Sequence, residues 1–253
     1  MRKKPVTSWQ SSQKWYKKSV GLCGNYYHQH VILPNLLRLM NARDADSILD
    51  LGCGQGILER ALPKNCTYIG IDASPSLIEF AHKNARSQKH EFMVADATKR
   101  LPQNRSDFSH AVFLLSLQNM ENAQSALMNT ANYLRTGGRL YIVLNHPCFR
   151  IPRQSSWQID EEKKIEYRRI DRYLSPLKIP VSTNPGSQER SPLTWSFHNP
   201  LSDYFGFLRD AGLLTETVEE WASDKESEGK AARMENRARA EFPLFLTLVA
   251  KKG

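Results

Sequence analysis

Three glycines at alternate positions give this chain its clearest chemical signal. An apolar run ends at Asp50, and Gly52, Gly54 and Gly56 follow it, ahead of the helix-like segment 57–62. Glycine has no Cβ, so the backbone can turn sharply at these positions and lie against a ligand. Free N–H groups at the start of the next helix can bind polar ligand atoms. The spacing differs from that of dinucleotide-binding turns, but a strand, a turn and a helix in this order outline a site for a nucleotide-like cofactor.

Two more acids follow the next apolar runs. Asp72 ends the run that starts at residue 67, and Asp96 follows the run 92–95. A carboxylate in the first position can accept hydrogen bonds from both hydroxyls of a ribose, and one in the second can accept from an exocyclic amino group of adenine. Because ligands bind at the carboxyl ends of parallel strands, we expect both acids to lie beside the glycine turn. For either acid alone, helix capping is an equal alternative.

The elements that must position these residues alternate along the chain. Strands are predicted over residues 47–51, 67–72, 92–95, 111–115, 139–144, 213–221 and 245–250, and helices over 11–19, 26–40, 55–62, 75–84, 121–134, 199–210 and 222–241. The strands up to residue 144 are short continuous apolar runs, which indicates burial on both faces. Alternating strands and helices predict an α/β fold with a doubly wound parallel sheet.

Four segments resemble successive motifs of the class I, Rossmann-like, S-adenosylmethionine (SAM)-dependent methyltransferases. They are residues 48–56, 70–75, 94–97 and 134–140. The last segment departs from the family pattern, because Thr136 stands where the family usually has proline. The resemblance implies a seven-stranded sheet whose last strand is antiparallel, and transfer of the activated methyl group of SAM.

The same resemblance implies which residues contact SAM. They are Asp50, Gly52, Cys53, Gly54, Asp72, Ala73, Asp96, Ala97, Leu115 and Tyr27. Leu115 follows the fourth strand, where backbone and apolar contacts are expected beneath the cofactor. Tyr27 lies in an N-terminal helix, and in related methyltransferases such a helix closes over the cofactor. Ordinary packing of the helix explains this tyrosine equally well.

The alternation of strands and helices stops between residues 145 and 197. A stretch this long inside a compact domain is usually functional or disordered, and its aromatic residues argue against disorder. We therefore expect residues 146–198 to form an inserted substrate lid after the fifth strand. Within it, Arg150, Arg153 and Trp157 are predicted to bind an anionic or aromatic substrate, with a solvated lid edge as the alternative.

Two histidines, His146 and His198, stand at the ends of this insertion. The segments around them resemble a branch of small-molecule methyltransferases similar to the ubiquinone-biosynthesis methyltransferases. Asn199 stands where that branch usually has arginine, which leaves an anion contact at this position in doubt. A histidine can take a proton from an oxygen or nitrogen nucleophile, because its pKa lies near neutrality. Both histidines are predicted to be catalytic, with a structural role as the alternative.

The net charge of +9 is concentrated at the N-terminus, because the segment before Asp44 holds eight basic residues and no acid. A basic segment with interleaved aromatic residues can attract a polyanion or an acidic substrate. A solvated amphipathic helix is the favoured interpretation. We expect residues 1–44 to form a basic N-terminal helical cap on a methyltransferase domain of residues 45–253.

The composition also argues against several classes of protein. No apolar run approaches the ~20 residues of a membrane span, and no secretory signal is recognisable at the start of the sequence. The four cysteines are scattered, which argues against a structural zinc site or a disulfide framework and for a reducing cytoplasm.

The sequence therefore predicts a cytoplasmic enzyme, without a metal, that methylates an oxygen or nitrogen of a small molecule. The alternatives are an RNA or protein methyltransferase that docks through the basic N-terminus, and a non-catalytic SAM-binding protein. The oligomeric state is left open.

Overall fold

A seven-stranded sheet forms the centre of the computed structural model, which describes residues 9–182 and 193–253 apart from the side chains of residues 11, 13, 14 and 17. The strands of the described chain are β1 Ser47–Leu51, β2 Thr67–Asp72, β3 Glu91–Val94, β4 Phe108–Leu114, β5 Leu134–Asn145, β6 Ser155–Asp160, β7 Ile165–Ile170, β8 Leu177–Ser182, β9 Leu193–His198, β10 Leu213–Trp221 and β11 Phe245–Lys252. The order in the main sheet is β10-β11-β5-β4-β1-β2-β3. Strands β1 to β5 pair in parallel, and β11 is antiparallel to both β5 and β10. The predicted sheet with an antiparallel last strand is confirmed.

Helices cover both faces of this sheet. They are α1 Trp9–Val20, α2 Leu33–Met40, α3 Ile57–Ala61, α4 Pro75–Lys83, α5 Ala123–Ala131, α6 Leu201–Asp210 and α7 Ala232–Glu241. One core cluster packs α5 and α6 on one face, including Leu127 and Leu208. The other packs α2 and α3 on the opposite face, including Leu36 and Leu58. Side chains of β1 alternate between the two clusters, because successive residues of a strand point to opposite faces. The fold is therefore doubly wound, as predicted.

Several element boundaries differ from the sequence prediction. The predicted helix 26–40 contains a π-helical turn, His28–Ile32, ahead of α2. The predicted helix 222–241 is shorter and begins at Ala232. Strand β5 begins at Leu134, ahead of the predicted start at residue 139, and it contains the glycine pair at 137 and 138. A Cβ at Gly138 would lie 2.9 Å from two backbone oxygens, so this glycine permits close approach of backbone within a strand.

The insertion after β5 contains two antiparallel hairpins, which the sequence analysis did not predict. Strands β6 and β7 pair over six residue positions, and so do β8 and β9. The pattern was hidden because these strands carry charges and prolines instead of continuous apolar runs. Residues 183–192 of the expected lid lie outside the described part. None of the helices in the described ranges is long and apolar enough to cross a membrane.

Candidate cofactor and acceptor site

The turn after β1 is held by backbone bonds to the neighbouring strand. The N–H groups of Gly52 and Cys53 both donate to the carbonyl oxygen of Ile71, at 2.7 and 2.9 Å. Gly52 has a φ of +73°, a conformation that glycine adopts without strain. A Cβ at this position would overlap with the Cβ of Ser116 and lie 2.9 Å from its hydroxyl oxygen. The first glycine is therefore required both by its backbone angle and by the close approach of the chain after β4.

Asp72, at the end of β2, ties this turn to the start of α4. Its two carboxylate oxygens accept hydrogen bonds from the N–H groups of Gly54 (3.0 Å) and Ser74 (2.8 Å). Burial raises the pKa of Asp72, although the two backbone bonds oppose that shift. Gly54, Asp72 and Ala73 line the same cavity. Each carboxylate oxygen has two lone-pair positions, so Asp72 keeps acceptor capacity for ligand hydroxyls.

Asp96, beyond β3, is held in the same manner. One of its oxygens accepts from the backbone N–H (3.0 Å) and the hydroxyl (2.7 Å) of Thr98. Its partial burial favours a higher pKa, but the hydrogen bonds from Thr98 and the charge of Lys99 outweigh that effect and lower the pKa. Ala97 and Thr98 line the cavity beside it. The carboxylate is thus ionised and positioned at the third strand end, as the sequence predicted.

Leu115 lies at the end of β4 in a strained backbone conformation. Its φ is +53°, which is uncommon for a residue with a branched side chain. Its N–H donates to Val143 at 2.9 Å, and its carbonyl accepts from the side-chain amide of Asn119 at 3.1 Å. Such strain is retained where the surroundings over-determine it, often at ligand sites. Leu115 lines the cavity, as the resemblance implied.

Two of the predicted cofactor contacts lie behind the cavity wall. Asp50 is 1% exposed and accepts a hydrogen bond from the hydroxyl of Tyr68 at 2.7 Å, while its other oxygen has no partner in the described part of the chain. Burial raises the pKa of Asp50 to about 7. Cys53 is buried too, and its sulfur would lie 2.9 Å from a Cβ at Gly70. The structure therefore gives Asp50 and Cys53 supporting positions beneath the turn, because both side chains point into the protein.

A cavity of about 900 Å³ joins these strand ends to the insertion. Helix α1 closes one side of it. The Tyr16 hydroxyl lies 3.4 Å from the place of a Cβ on Gly54, and the amide of Gln10 binds the hydroxyls of Ser74 (2.7 Å) and Ser76 (2.6 Å). No sequence motif marked the aromatic residues of α1 as part of the site, because α1 is more than 30 residues from the glycine turn along the chain.

The far end of the cavity is aromatic and carries two cations. Lys178 of β8 lies 5.2 Å from the ring centre of Trp195 and 5.6 Å from that of Phe197, both in β9. Its ammonium is paired with Glu121 at 2.8 Å. Arg150 lies 5.3 Å from the ring centre of Phe245. Hairpin β8–β9 lies within the predicted lid of residues 146–198, but no sequence motif marked Lys178, Trp195 or Phe245 as a residue of the site.

Tyr27 also lines this end of the cavity. Its ring packs edge-on against Phe245, with centroids 5.8 Å apart, and its hydroxyl lies 3.3 Å from that of Ser223. Tyr27 therefore forms part of the cavity wall, and its contact with SAM stays a prediction. It stands beside Phe245 and Arg150, on the side opposite to Asp72.

The two histidines predicted to be catalytic do not line the cavity. His146 is fully buried. Its Nε2 donates to Glu220 at 2.6 Å and its Nδ1 accepts from the N–H of Cys148 at 3.1 Å, so no nitrogen is free to accept a proton. His198 donates through Nε2 to the carbonyl of Tyr173 at 2.6 Å. These contacts assign structural positions to both side chains and correct the prediction.

The three residues predicted to bind substrate do not lie together in the structure. Arg150 lines the cavity, whereas Arg153 and Trp157 do not. Arg153 is exposed in a tight turn with a φ of +60°. Trp157 packs edge-on against Phe242, with centroids 5.4 Å apart, and beneath the guanidinium of Arg168 at 5.1 Å. The indole of Trp157 therefore packs against protein side chains outside the cavity.

His28 lines the cavity and was missed by the sequence analysis. It is 6% exposed, at the start of the π-helical turn, an irregularity common at functional sites. Its Nδ1 donates to the side-chain oxygen of Asn25 at 2.8 Å, which leaves Nε2 as the acceptor nitrogen. Burial lowers the pKa of His28 to about 4, so the ring is neutral at pH 7. No motif marked His28, since its position depends on the fold of the N-terminal segment.

The charge of the cavity suits a cationic nucleoside on one side only. Five charged side chains line the described cavity, namely Asp72, Asp96, Glu121, Arg150 and Lys178. Asp72 and Asp96 stand at the strand ends beside the glycine turn, whereas Lys178 is paired with Glu121. SAM carries a ribose, an adenine and positively charged sulfonium and ammonium groups. Carboxylates with free lone pairs, beside a turn without a Cβ at Gly54, fit such a molecule.

Comparison with known proteins agrees with this geometry. Residues 48–138 match the family model described as a methyltransferase domain. The chain is 32% identical to a methyltransferase of Schizosaccharomyces pombe over 114 residues, which are 43% of each chain, so this match spans less than half of that relative. It is 21% identical to the ubiquinone biosynthesis O-methyltransferase of Coxiella burnetii over 80% of this chain and 88% of that enzyme. An S-adenosylmethionine-dependent methyltransferase from Mesorhizobium loti has a similar fold, with a TM-score of 0.64, 23% identity, and coverage of 86% of this chain and 96% of that one.

The sheet order and these matches agree with one another. Residues 48–138 match a methyltransferase domain, and the fold is that of the S-adenosylmethionine-dependent methyltransferases. The longer match to the O-methyltransferase of ubiquinone biosynthesis is a distant similarity.

Proposed function

We propose that the chain transfers the methyl group of SAM to an oxygen or nitrogen of a small molecule. The observation that carries this proposal is the continuity of the cavity from Gly54 and Asp72 to Trp195 and Phe197. A volume of about 900 Å³ is at the upper end of the range for small-molecule sites, which suits a donor and an acceptor bound together. The aromatic walls at the far end favour a compact, partly apolar acceptor.

The cofactor residues carried over from the family motifs remain part of this proposal. Asp72 would hold the ribose hydroxyls and Asp96 the adenine amino group, with Ala73, Ala97 and Leu115 in apolar contact. SAM supplies a methyl group that is already activated by its sulfonium. The protein then contributes mainly alignment and exclusion of water. Asp50 and Cys53 would act indirectly, by supporting the turn.

The proposed proton acceptor is His28. His28 lines the cavity, and its Nδ1 is anchored on Asn25, which leaves Nε2 as the acceptor nitrogen. His146 and His198 do not line the cavity. Replacing His28 with alanine is expected to lower kcat about 100-fold while leaving SAM affinity within twofold. The control is His30→Ala, because His30 is exposed and stacks on Tyr26. Equal activity of the two variants would refute a role for His28.

Residues 1–44 and 146–198 are proposed as the cap and the lid of the acceptor site. Contacts of α1 with the turn after β1 support the cap, and Lys178, Trp195 and Phe197 in the cavity wall support the lid. Closure by both segments would exclude water during transfer. A cytoplasmic location is part of the same proposal and rests on the scattered cysteines.

The decisive experiment uses a cell extract and SAM labelled in its methyl group. The wild-type protein is expected to label a low-molecular-weight compound, identified by mass spectrometry, and Asp72→Ala is expected to abolish that label. Label in RNA or protein would instead support docking through the basic N-terminus, and such binding should weaken steeply with salt. SAM binding without any labelled product would support the non-catalytic alternative.

A further inference from the structure

We infer that the methylated molecule carries a carboxylate, and that Arg150 binds this group at the far end of the cavity. The inference rests on the proposed function and names the substrate class of that site. A partly buried arginine such as Arg150 is energetically unfavourable when no negative group is paired with it.

Arg150 has few partners inside the described part of the protein. Its guanidinium makes one long hydrogen bond, 3.4 Å, to the carbonyl of Leu244, and it lies over the ring of Phe245. No described carboxylate forms an ion pair with it, whereas the chain pairs Arg38 with Glu219 and many other surface arginines with acids. A guanidinium has five N–H donors in a planar fork. Most of the donors of Arg150 are therefore available to a ligand.

The neighbouring Arg168, unlike Arg150, has hydrogen-bond partners for its guanidinium within the protein. Arg168 donates to the carbonyl of Phe149 at 2.6 Å and to the hydroxyl of Ser155 at 2.8 Å. It does not line the cavity, but Arg150 does. Burial lowers the pKa of Arg150, and the positive charge of Arg168 adds to that effect. Both influences would be relieved by an anion in the cavity.

The position of Arg150 assigns it to the acceptor and not to the donor. The nucleoside groups Asp72 and Asp96 follow β2 and β3, on one side of β1. Arg150 contacts Leu244 and Phe245 at the start of β11, on the other side of β1. Strands β11 and β1 are three positions apart in the sheet, which is roughly 14 Å at the usual spacing between strands. A group bound by Arg150 is therefore far from the glycine turn.

The surroundings favour a single planar negative charge. Lys178, the other cation that lines the described cavity, is already paired with Glu121, so Arg150 carries the unpaired positive charge. A carboxylate matches the fork of a guanidinium through two parallel hydrogen bonds. The rings of Tyr27 and Phe245 beside Arg150 favour an aromatic or long apolar body next to that carboxylate. The expected acceptors are thus carboxylic acids of this type, with the methylated atom nearer to Leu115.

The test measures binding of matched acids and amides to the full-length protein saturated with S-adenosylhomocysteine. The probes are benzoate, 4-hydroxybenzoate, 3-(4-hydroxyphenyl)propanoate, indole-3-acetate and octanoate, each with its primary amide, in titration calorimetry. At least one acid is expected to bind tenfold more tightly than its amide. Arg150→Gln should remove this preference, and Arg150→Lys should keep part of it. Arg169→Gln is the matched control, because Arg169 is exposed and paired with Asp171.

Affinity for S-adenosylhomocysteine is measured for the same variants. We expect Arg150→Gln to leave it within twofold, which separates this inference from the proposal on SAM. A preference for acids that survives Arg150→Gln would overturn the inference, and so would the absence of acid binding by the wild-type protein. Loss of S-adenosylhomocysteine binding in Arg150→Gln would also overturn it, by assigning Arg150 to the carboxylate of the donor. In all these cases, turnover with labelled SAM still decides the proposed function on its own.

Discussion

The two ends of the cavity are built in different ways. At the donor end, Gly52 follows β1, Asp72 ends β2, and Asp96 lies shortly beyond β3. Backbone N–H groups hold both carboxylates in place. At the acceptor end, Arg150 and Lys178 come from the insertion and are held by aromatic faces and an exposed ion pair. The donor end is therefore fixed by the fold, whereas the acceptor end depends on side chains that can change without altering the sheet.

A substitution at Gly52 is expected to have the largest effect, because it acts on the rigid end. Gly52→Ala adds a Cβ that overlaps with Ser116 and places alanine at a φ of +73°. We expect the free energy of unfolding to fall by about 2–4 kcal/mol and SAM affinity to fall about 100-fold. Urea unfolding and calorimetry measure these quantities.

The matched control for Gly52→Ala is Gly212→Ala. Gly212 also has a positive φ, +69°, but a Cβ there would meet nothing within 4 Å. It should lose about 1–2 kcal/mol of stability and keep SAM affinity. Equal loss of SAM affinity in the two variants would show that the contact with Ser116 does not matter.

The buried carboxyl of Asp50 is expected to make stability depend on pH. Its pKa in the folded protein is about 7, above the ordinary value near 4, so folding favours the protonated form. The stabilisation is complete below the ordinary pKa and is lost as pH rises through the folded pKa. Unfolding in urea between pH 4.5 and 7.5 should show a decrease of up to about 4 kcal/mol that Asp50→Asn lacks. Identical pH profiles for the two proteins would rule out this origin.

Asp72→Asn is expected to affect ligand binding at the donor end much more than at the acceptor end. Asparagine keeps one acceptor oxygen but loses the charge, so SAM affinity should fall about tenfold. Binding of an acid probe at the acceptor end should change less than twofold, and calorimetry can measure both ligands. The control is Asp171→Asn, which removes a carboxylate from the exposed pair with Arg169. A parallel loss of both ligands in Asp72→Asn would contradict the separation.

The smallest effect is expected at the ion pair between Glu121 and Lys178. The side chains are 71% and 48% exposed, and exposed pairs contribute about 0.2–1 kcal/mol. Glu121→Gln should therefore lower the free energy of unfolding by less than 1 kcal/mol in urea titrations. A loss above about 2 kcal/mol would mean that the acceptor end is as rigid as the donor end.

Sequence patterns could place the donor-end residues at one cavity because these residues occupy fixed offsets from strand ends. Gly54, Asp72 and Asp96 could be placed together without knowledge of side-chain packing, since parallel strands end at one edge of the sheet. His146 and Trp157 were misplaced because a side chain that follows a strand can turn into the protein as readily as into a cavity. His28 and Lys178 reach the site only through the folding of segments far from the motifs. Their roles therefore required the structure.

The location of α1 has a consequence for the kinetics of turnover. Tyr16 covers Gly54, and Gln10 is hydrogen-bonded to Ser74 and Ser76, so we expect α1 to move when a molecule reaches or leaves the turn. Such an arrangement leads to an ordered sequence in which the methyl donor arrives first and its demethylated product departs last. S-adenosylhomocysteine should then inhibit competitively against SAM and noncompetitively against the acceptor. Opening of this helix, and not the transfer of the methyl group, would set the upper limit of kcat.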